Sequence, residues 1–430
     1  MQDNNLFQYI KKVVENMPNG WLTTTTHRLD IYNEKLAKTE FLDQFENLYN
    51  NNIADASSLN ALPTAYDYIR LGHPLSCVLE WTIAKLNDTK SENVISFSSK
   101  TTPILAILRK NLLENINIQI NYSGKLPDFF DAEILRNVYG YHFELNKVSD
   151  ASTVTKFDGS TIFISEVESF SKTENNPNID FFINLIPNLG SVILVNGSEN
   201  DNYISEIQHV RRRETIAMTP ANCLVALQSI IGATVEHKKY NTEADKKSVE
   251  DTIAKITLSP TKPLVASSGL SIQYAIMMGL VDFAQEHHKG KAIKFIVPPN
   301  CYGGTNDQAR RVAACLENVE IVDLLVDGGN DMVRSIDTIL EKLATEDAIP
   351  YIIAEIPTNP RVEVPNLNDL KMVLSKQRKT KSGENAINPV FILDQTFCPD
   401  YHFLGENNIL SSVKTISFAS GSKFPSGGLC

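Results

Sequence analysis

The chain has 430 residues, 42% of them hydrophobic, and 40 Lys and Arg against 51 Asp and Glu give a formal net charge of −11. That is enough apolar material for a sizeable core spread over two or three domains, which excludes a disordered tail or a mini-protein. An acidic balance without long Lys/Arg runs argues against nucleic-acid or anionic-membrane binding and leaves small soluble ligands as the expected partners.

Residues 1 to about 86 are polar and read as helical, with Glu and Lys spread through IYNEKLAKTEFLDQFENLYNNN and a second helical stretch at PLSCVLEWTIAKL. Between them lies the loop-like segment LNALPTAYDYIRLGHP, bracketed by Pro63 and Pro74. From Val94 short apolar runs alternate with amphipathic stretches: VISF, a helix from about Pro103 to Leu113, INIQINY, TIFISEV and SVILVN. After Pro263 the alternation resumes with LVASS, KFIVPP, EIVDLLV, YIIAEIP, VFILD and KTISFAS as strands. Such alternation predicts an α/β fold with a mostly parallel open sheet. Runs such as YIIAEI and VFILD, apolar on both faces, fit central strands covered by helices on both sides.

Nowhere do about 18 apolar residues run together, and the start, MQDNNLFQYIKK, lacks the apolar core of a signal peptide, so a cytoplasmic protein is expected. The six cysteines, Cys77, Cys223, Cys301, Cys315, Cys398 and Cys430, are scattered and form no CxxC pair, as in a reducing compartment. No HExxH or Cys/His cluster with zinc spacing occurs, so no metal site is expected.

An open parallel sheet binds its ligand at the carboxyl ends of its strands. The residues there are Ser267-Ser268-Gly269, Tyr302-Gly303-Gly304-Thr305, Glu355-Ile356-Pro357-Thr358-Asn359-Pro360, Asp394-Gln395-Thr396 and Ser420-Gly421-Ser422-Lys423. A Ser-Ser-Gly turn opening a helix offers N–H groups and hydroxyls that suit a phosphate, although the same residues serve as ordinary caps. Asp394 ends an apolar strand, where a buried carboxylate needs a cation or else caps the next segment. A protonated pyridine nitrogen is a suitable cation, a lysine could hold the aldehyde of the same ring, and Tyr302 could stack on it or serve as a turn aromatic. Ser420-x-x-Lys423 also matches the nucleophile motif of serine β-lactamases, but neither SDN nor KTG accompanies it. GxGxxG and the P-loop are absent as well, which removes most of the case for nicotinamide and nucleotide enzymes.

Taken in order, these blocks resemble the Cys/Met-metabolism family of pyridoxal-phosphate enzymes, which includes cystathionine γ-synthase, the cystathionine lyases, methionine γ-lyase and O-acylhomoserine sulfhydrylases. The match runs through most of Pro263 to Cys430 and about Tyr66 to Leu86. The resemblance implies the aspartate-aminotransferase-like (fold type I) architecture, pyridoxal 5'-phosphate as cofactor, an amino acid substrate and a homo-oligomer. Ser268-Gly269-Leu270 resembles the family's SGM phosphate turn, Tyr302-Gly303-Gly304-Thr305 its YGGT, and Glu355 to Pro360 its ESPTNP, which would put Asn359 beside the ring. Asp394-Gln395-Thr396-Phe397 resembles DNTF, so Asp394 would meet the pyridine nitrogen and Thr396 sit against the ring. Ser420, Ser422 and Lys423 match S-x-[TS]-K, implying two phosphate ligands and the Schiff-base lysine. Tyr68-Ile69-Arg70 resembles the YxR segment that reaches a neighbouring subunit's phosphate, so Tyr68 and Arg70 join the implied site, with Lys423, Tyr302 and Tyr68 as its catalytic members.

Four departures accompany the match. Gln395 replaces Asn and Gly428 stands where a His often follows the lysine block, while His73-Pro74 and Leu79-Glu80 fall where the family has NPT and LE. A long region, 87–256, separates the helical arm (1–86) from the cofactor-binding domain (257–430). It is expected to be an α/β insertion or a degenerate second copy, since VISFSSKTTPILAI echoes LVASSGLSIQYAI, TIFISE echoes YIIAE, and VILVN echoes FILD with Asn196 in the place of Asp394. The sequence ends at Cys430, soon after Lys423, where family members continue into a domain carrying the arginine for the substrate carboxylate, so a truncated chain is expected. The implied activity is γ-replacement on an O-acylhomoserine by a thiol or sulfide. Elimination by a cystathionine or methionine lyase, and a non-catalytic cofactor-binding subunit or fragment, stand as alternatives.

Overall fold

The computed structural model describes residues 2–23, 34–63, 65, 68–170, 172–173, 176–233, 242–327, 331–405 and 408–423. The expectations at Tyr66 and at Gly428 fall outside them. Two compact units emerge, one built from residues 1–132 and 141–238, the other from 133–140 and 239–428. The division does not fall after residue 86: the helical arm and the region that follows share one core, in which Tyr9, Phe41, Phe45 and Trp81 are buried together with Val94, Phe163, Phe182 and Val192.

In the first unit the strands β1 (Val94–Phe97), β2 (Ile118–Tyr122), β3 (Glu144–Lys147), β4 (Ser160–Glu166), β5 (Phe181–Ile186) and β6 (Gly190–Val195) form one sheet in the order β1-β6-β5-β4-β2-β3. From β3 to β5 the pairing is parallel, but β6 is antiparallel to both of its neighbours, β5 and β1. A short β5–β6 connection, Pro187 to Leu189, permits only a reversal, because a parallel return needs a crossover of a dozen or more residues.

The helix Pro74–Leu86 shows how local sequence sets an element. Pro74 stands at its first turn, and His73 caps it: Ser76 N–H donates to His73 Nδ1 at 3.2 Å while His73 N–H donates to Ser76 Oγ at 2.9 Å. The other ring nitrogen donates to the Met218 carbonyl at 2.7 Å, and burial holds the imidazole neutral, with its pKa lowered to about 4. Glu80 on the same helix is buried. Its carboxylate accepts from Lys38 Nζ at 2.8 Å, from Arg211 at 2.7 Å, and from the Ser96 amide and hydroxyl at 2.9 and 2.8 Å.

The second unit holds β7 (Ile293–Val297), β8 (Val319–Asp323), β9 (Ile349–Glu355), β10 (Val390–Asp394) and β11 (Thr415–Phe418) in the order β11-β10-β9-β7-β8, every pair parallel. Alternate side chains of a strand face opposite sides, and both sides are covered here. Ile349, Tyr351 and Ile353 of β9 join Phe295 of β7 under the helices Gly269–His287 and Gly303–Ala314, whereas Ile352 and Ala354 join Phe391 and Leu393 of β10 under Met332–Thr345 and Leu367–Ser375. Full burial of each such large side chain stabilises by roughly 1.5–3 kcal/mol. One expected strand does not form: LVASS is irregular, with Leu264 78% exposed, and the described residues of the sheet give it no pairing partner.

The order β3-β2-β4-β5 in one unit matches β8-β7-β9-β10 in the other, all parallel. The strand in the place of β10 is therefore β5, not VILVN, which is β6. Asn196 follows antiparallel β6 and lies beside Asp180 at the start of β5, its amide on the Asp180 carbonyl at 2.8 Å. It sits at the opposite edge of the sheet from the position that Asp394 takes, so the expected equivalence of the two does not hold.

Among the described residues no helix is long and apolar enough to cross a membrane.

Removing one partner of a buried ion pair leaves the other charges uncompensated, so Glu80→Ala should destabilise the first unit by about 3–5 kcal/mol. Burial alone would raise the Glu80 carboxyl, but the Lys38 and Arg211 charges outweigh it and hold the pKa down at about 2. Because the folded-state pKa is depressed, this contribution is complete above the ordinary value of 4.5 and is lost as pH falls toward about 2. Urea unfolding of wild type and Glu80→Ala across that window should show the difference between them shrinking as pH falls.

Candidate active site

All five strands of the second sheet run the same way, so their carboxyl ends share one edge. There Asp394 closes β10 and pairs in register with Glu355, the last residue of β9, on one side and with Phe418 of β11 on the other. Both carboxylates are buried, Glu355 at 6% and Asp394 at 8% exposure. Burial raises the Asp394 carboxyl above its ordinary value, opposed by the Thr396 side chain and by the hydrogen bond from the Thr396 amide to Oδ1 at 2.9 Å. Glu355 is pushed up to about 7, first by burial and then by the charge of Asp394, against the two amides that it accepts. A cation delivered to this edge would favour ionisation of both groups.

The segment after β11 folds onto the start of the helix Gly269–His287. A Cβ on Gly269 would lie 2.8 Å from Ser420 Cβ, closer than real Cβ atoms approach, so the glycine is what lets the two segments meet. Ser268 caps that helix, its hydroxyl accepting the Ser271 amide at 3.1 Å. Ser420 Oγ and Ser422 Oγ are 2.8 Å apart. Three hydroxyls and the N-terminus of a 19-residue helix thus share one corner of the edge, a donor set suited to an oxyanion. Leu270 is buried and its carbonyl accepts from Gln308 Nε2 at 2.9 Å, while Thr305 Oγ1 donates to Gln273 Oε1 at 3.0 Å. These contacts fix the helix Gly269–His287 against Gly303–Ala314.

Thr396, expected against a ring, also braces the Ser420 turn. Its Oγ1 accepts the Ser420 amide at 2.9 Å, tying the segment after Asp394 to the Ser420 turn. Gln395, in place of the family's Asn, is buried, its amide on the Phe418 carbonyl at 2.9 Å and its Nε2 on the Pro399 carbonyl at 3.0 Å, so it holds the turn after β10. Lys423 is half-buried just beyond Ser422. Tyr302, the cap position of Gly303–Ala314, and Asn359, in the loop after β9, are half-buried, and both donate their amides to Glu355.

The structure thus gathers Ser268, Gly269, Ser420, Ser422, Asp394 and Thr396 through direct contacts, and Tyr302 and Asn359 through Glu355. Tyr68 and Arg70 belong to the first unit, where both are buried and the Arg70 guanidinium lies 4.5 Å from the centroid of the Tyr68 ring. Glu355 joins this edge as a second buried carboxylate, one to which the motif resemblance gives no role. The signal that singled out Asp394, a carboxylate ending a strand that is apolar on both faces, was equally available for it. Cys301, beside Tyr302, is kept protonated by burial, its thiol pushed up to about 12. Among the described residues no group of His, Cys, Asp and Glu could hold a metal ion.

No protein-family model matches the chain, and no curated protein sequence matches it. Solved structures do overlap it in part. A cystathionine gamma lyase from Micromonospora echinospora is 15% identical over 44% of this chain and 44% of its own, with a TM-score of 0.28. A serine palmitoyltransferase from S. paucimobilis is 13% identical over 44% of this chain and 42% of its own, TM-score 0.30. A cystathionine gamma-lyase from yeast is 11% identical over 61% of this chain and 70% of its own, TM-score 0.33. The chain thus spans less than half the length of the first two.

The glycine contact generates a direct test. Gly269→Ala must displace the Ser420 backbone, so affinity for pyridoxal 5'-phosphate, the group that the sequence resemblance implies, should fall by about tenfold, the loss of one or two hydrogen bonds. Fluorescence titration of the two proteins checks it; equal affinities would separate the Ser420 corner from phosphate binding.

Proposed function

We propose that the second unit binds pyridoxal 5'-phosphate in the fold type I manner and that the protein is an enzyme of sulfur amino acid metabolism, catalysing γ-replacement on an O-acylhomoserine by a thiol or sulfide. The observation that carries this reading is the buried Asp394 beside the Gly269–Ser420 contact, which brings a ring-nitrogen partner and a hydroxyl-rich helix start to one sheet edge, just ahead of Lys423. The residues fit the group. Ser268, Ser420, Ser422 and the first amides of the helix Gly269–His287 would take the phosphate, Asp394 the pyridine nitrogen, Lys423 the aldehyde carbon, and Tyr302 and Asn359 the flanks of the ring. Leu270 would close the phosphate turn as a packing residue.

When bound, pyridoxal phosphate supplies an electron sink for charge developing at the substrate's α-carbon. The chain's own work is to hold and move protons around it. Asp394, buried and short of cations, holds a proton at the pyridine nitrogen. The Lys423 amine takes the proton from the α-carbon, and a second removal at the β-carbon lets a γ-substituent leave. A thiol or sulfide bonding to the γ-carbon in place of the departed acyloxy group, with protons returned to the β- and α-carbons, would give replacement; hydrolysis with tautomerisation would instead give an oxo acid and ammonia, the lyase outcome. We place the protein in the cytoplasm, in keeping with its free Cys77, Cys223, Cys301, Cys315 and Cys398. We assign it a homo-oligomeric state, as the sequence resemblance implies, in which Tyr68 and Arg70, both buried in the first unit, would have to turn outward to reach a neighbouring chain's phosphate.

Borohydride reduction of the protein loaded with pyridoxal phosphate should fix the pyridoxyl label on Lys423, read by peptide mapping; a label on Lys414 or Lys100 would overturn the assignment. Asp394→Asn should keep the fold and lose activity by at least about a hundredfold, since it removes the charge that stabilises the protonated ring. Near-normal turnover would rule out this role for Asp394. Replacement and elimination separate by assaying thioether formation against oxo-acid release from the same O-acylhomoserine.

Mixing inactive Arg70→Ala with inactive Lys423→Ala subunits tests the oligomer. An arginine fork suits phosphate oxygens, so if the arm serves a partner some mixed sites are intact and activity partly returns. If the arm serves its own chain, no mixture recovers.

A further inference from the structure

Glu355 uses both carboxylate oxygens on main-chain donors from two separate loops. Oε1 accepts the Tyr302 amide at 2.8 Å and Oε2 the Asn359 amide at 3.1 Å. Tyr302 opens the helix after β7 and Asn359 lies in the loop after β9. One buried carboxylate therefore ties together the two loops whose side chains flank the proposed ring. Its register partner is Asp394, the residue proposed to meet the ring nitrogen.

We infer that Glu355 is the positioning residue of the ring site: it fixes Tyr302 and Asn359 by a two-amide clamp, and its charge state is linked to that of the ligand held at Asp394. This rests on the reading that a pyridine ring binds at this edge. The chemistry is specific to a carboxylate. Two anionic oxygens accept two N–H groups at once, whereas a glutamine in the same place accepts one and turns its own N–H₂ toward the other.

Among the described residues, Asp394, from β10, and Cys301, from the loop that carries Tyr302, are titratable groups whose charge bears on Glu355 or is raised by it. Cys301 is neutral near pH 7, because burial pushes its thiol up to about 12. With Glu355 titrating at about 7, the clamp in the free protein is complete above that pH and loosens as pH falls through it, since a protonated carboxyl is the weaker acceptor. A ring cation at Asp394 favours the ionised Glu355 and extends the clamp to lower pH.

The test uses the full chain in two arms. In the first, fluorescence titration gives dissociation constants for pyridoxal 5'-phosphate and for pyridoxine 5'-phosphate, which lacks the aldehyde and so reports ring and phosphate binding without Lys423. Glu355→Gln should raise both by about tenfold, as expected for a lost charge-assisted hydrogen bond. Wild-type affinity for both ligands in the variant would overturn the inference. In the second arm, hydrogen exchange of the ligand-free wild-type protein, corrected for intrinsic rates, follows peptides covering Tyr302 and Asn359 a unit either side of about 7. Their protection should fall with pH while that of Met277 in the core holds. Protection that does not change with pH would overturn the clamp even if the variant fails to fold. A wild-type protein that binds neither ligand would overturn the functional reading instead, and the second arm would still judge the clamp.

Discussion

The second unit is governed by one constraint: five strands pair in parallel, so everything placed after them arrives at the same edge. A parallel ladder needs a crossover for each strand, and crossover helices cover both faces of the sheet. The faces are therefore closed by apolar packing and the edge is what remains for chemistry. Asp394 and Glu355 are buried there because they terminate strands whose neighbours are buried, and their proximity follows from the register of β10 on β9.

Two buried carboxylate arrangements of the chain handle their charge in opposite ways. In the first, Glu80 is met by Lys38 and Arg211 and its pKa is held down, and Arg109 pairs with Glu214 at two points. These are closed networks, and their charges are already answered within the fold. In the second, Asp394 and Glu355 are both raised by burial, and no cation among the described residues is a cause acting on either. A pair of like charges at a sheet edge costs free energy in the folded state, which a ligand cation can offset. Two buried carboxylates raised together at the edge where the strand ends converge are what single this edge out as a candidate site.

The shared order β3-β2-β4-β5 and β8-β7-β9-β10 shows the same strand plan built twice, with different endings. In the first unit the next strand, β6, turns back antiparallel and closes the sheet against β1, whereas in the second β11 continues in parallel and delivers Ser420 to Gly269. The direction of that one strand decides whether a hydroxyl-bearing turn reaches the edge. It also explains why the likeness of VILVN to FILD misleads, since apolar composition is the same for a strand running either way.

The sequence by itself determined the α/β alternation, the central strands covered on both faces, and the residues at the strand ends, because side-chain period and turn chemistry are local properties. YIIAEI and VFILD read directly as buried strands, and Asp394, Ser268 and Ser420 stood out from their positions alone. Only the tertiary structure decided strand direction, register and which buried groups meet. LVASS has the composition of a strand, yet it forms none, and nothing local distinguishes it from TISF. His73 looked like a departure in a motif and is a helix cap held to the Met218 carbonyl. Glu355 and Asp394 are far apart in the chain and adjacent in the sheet, and the clamp on Tyr302 and Asn359 exists only once β7 and β9 are paired. Those contacts are long-range pairings, whose choice depends on the packing of the whole unit and not on any one segment.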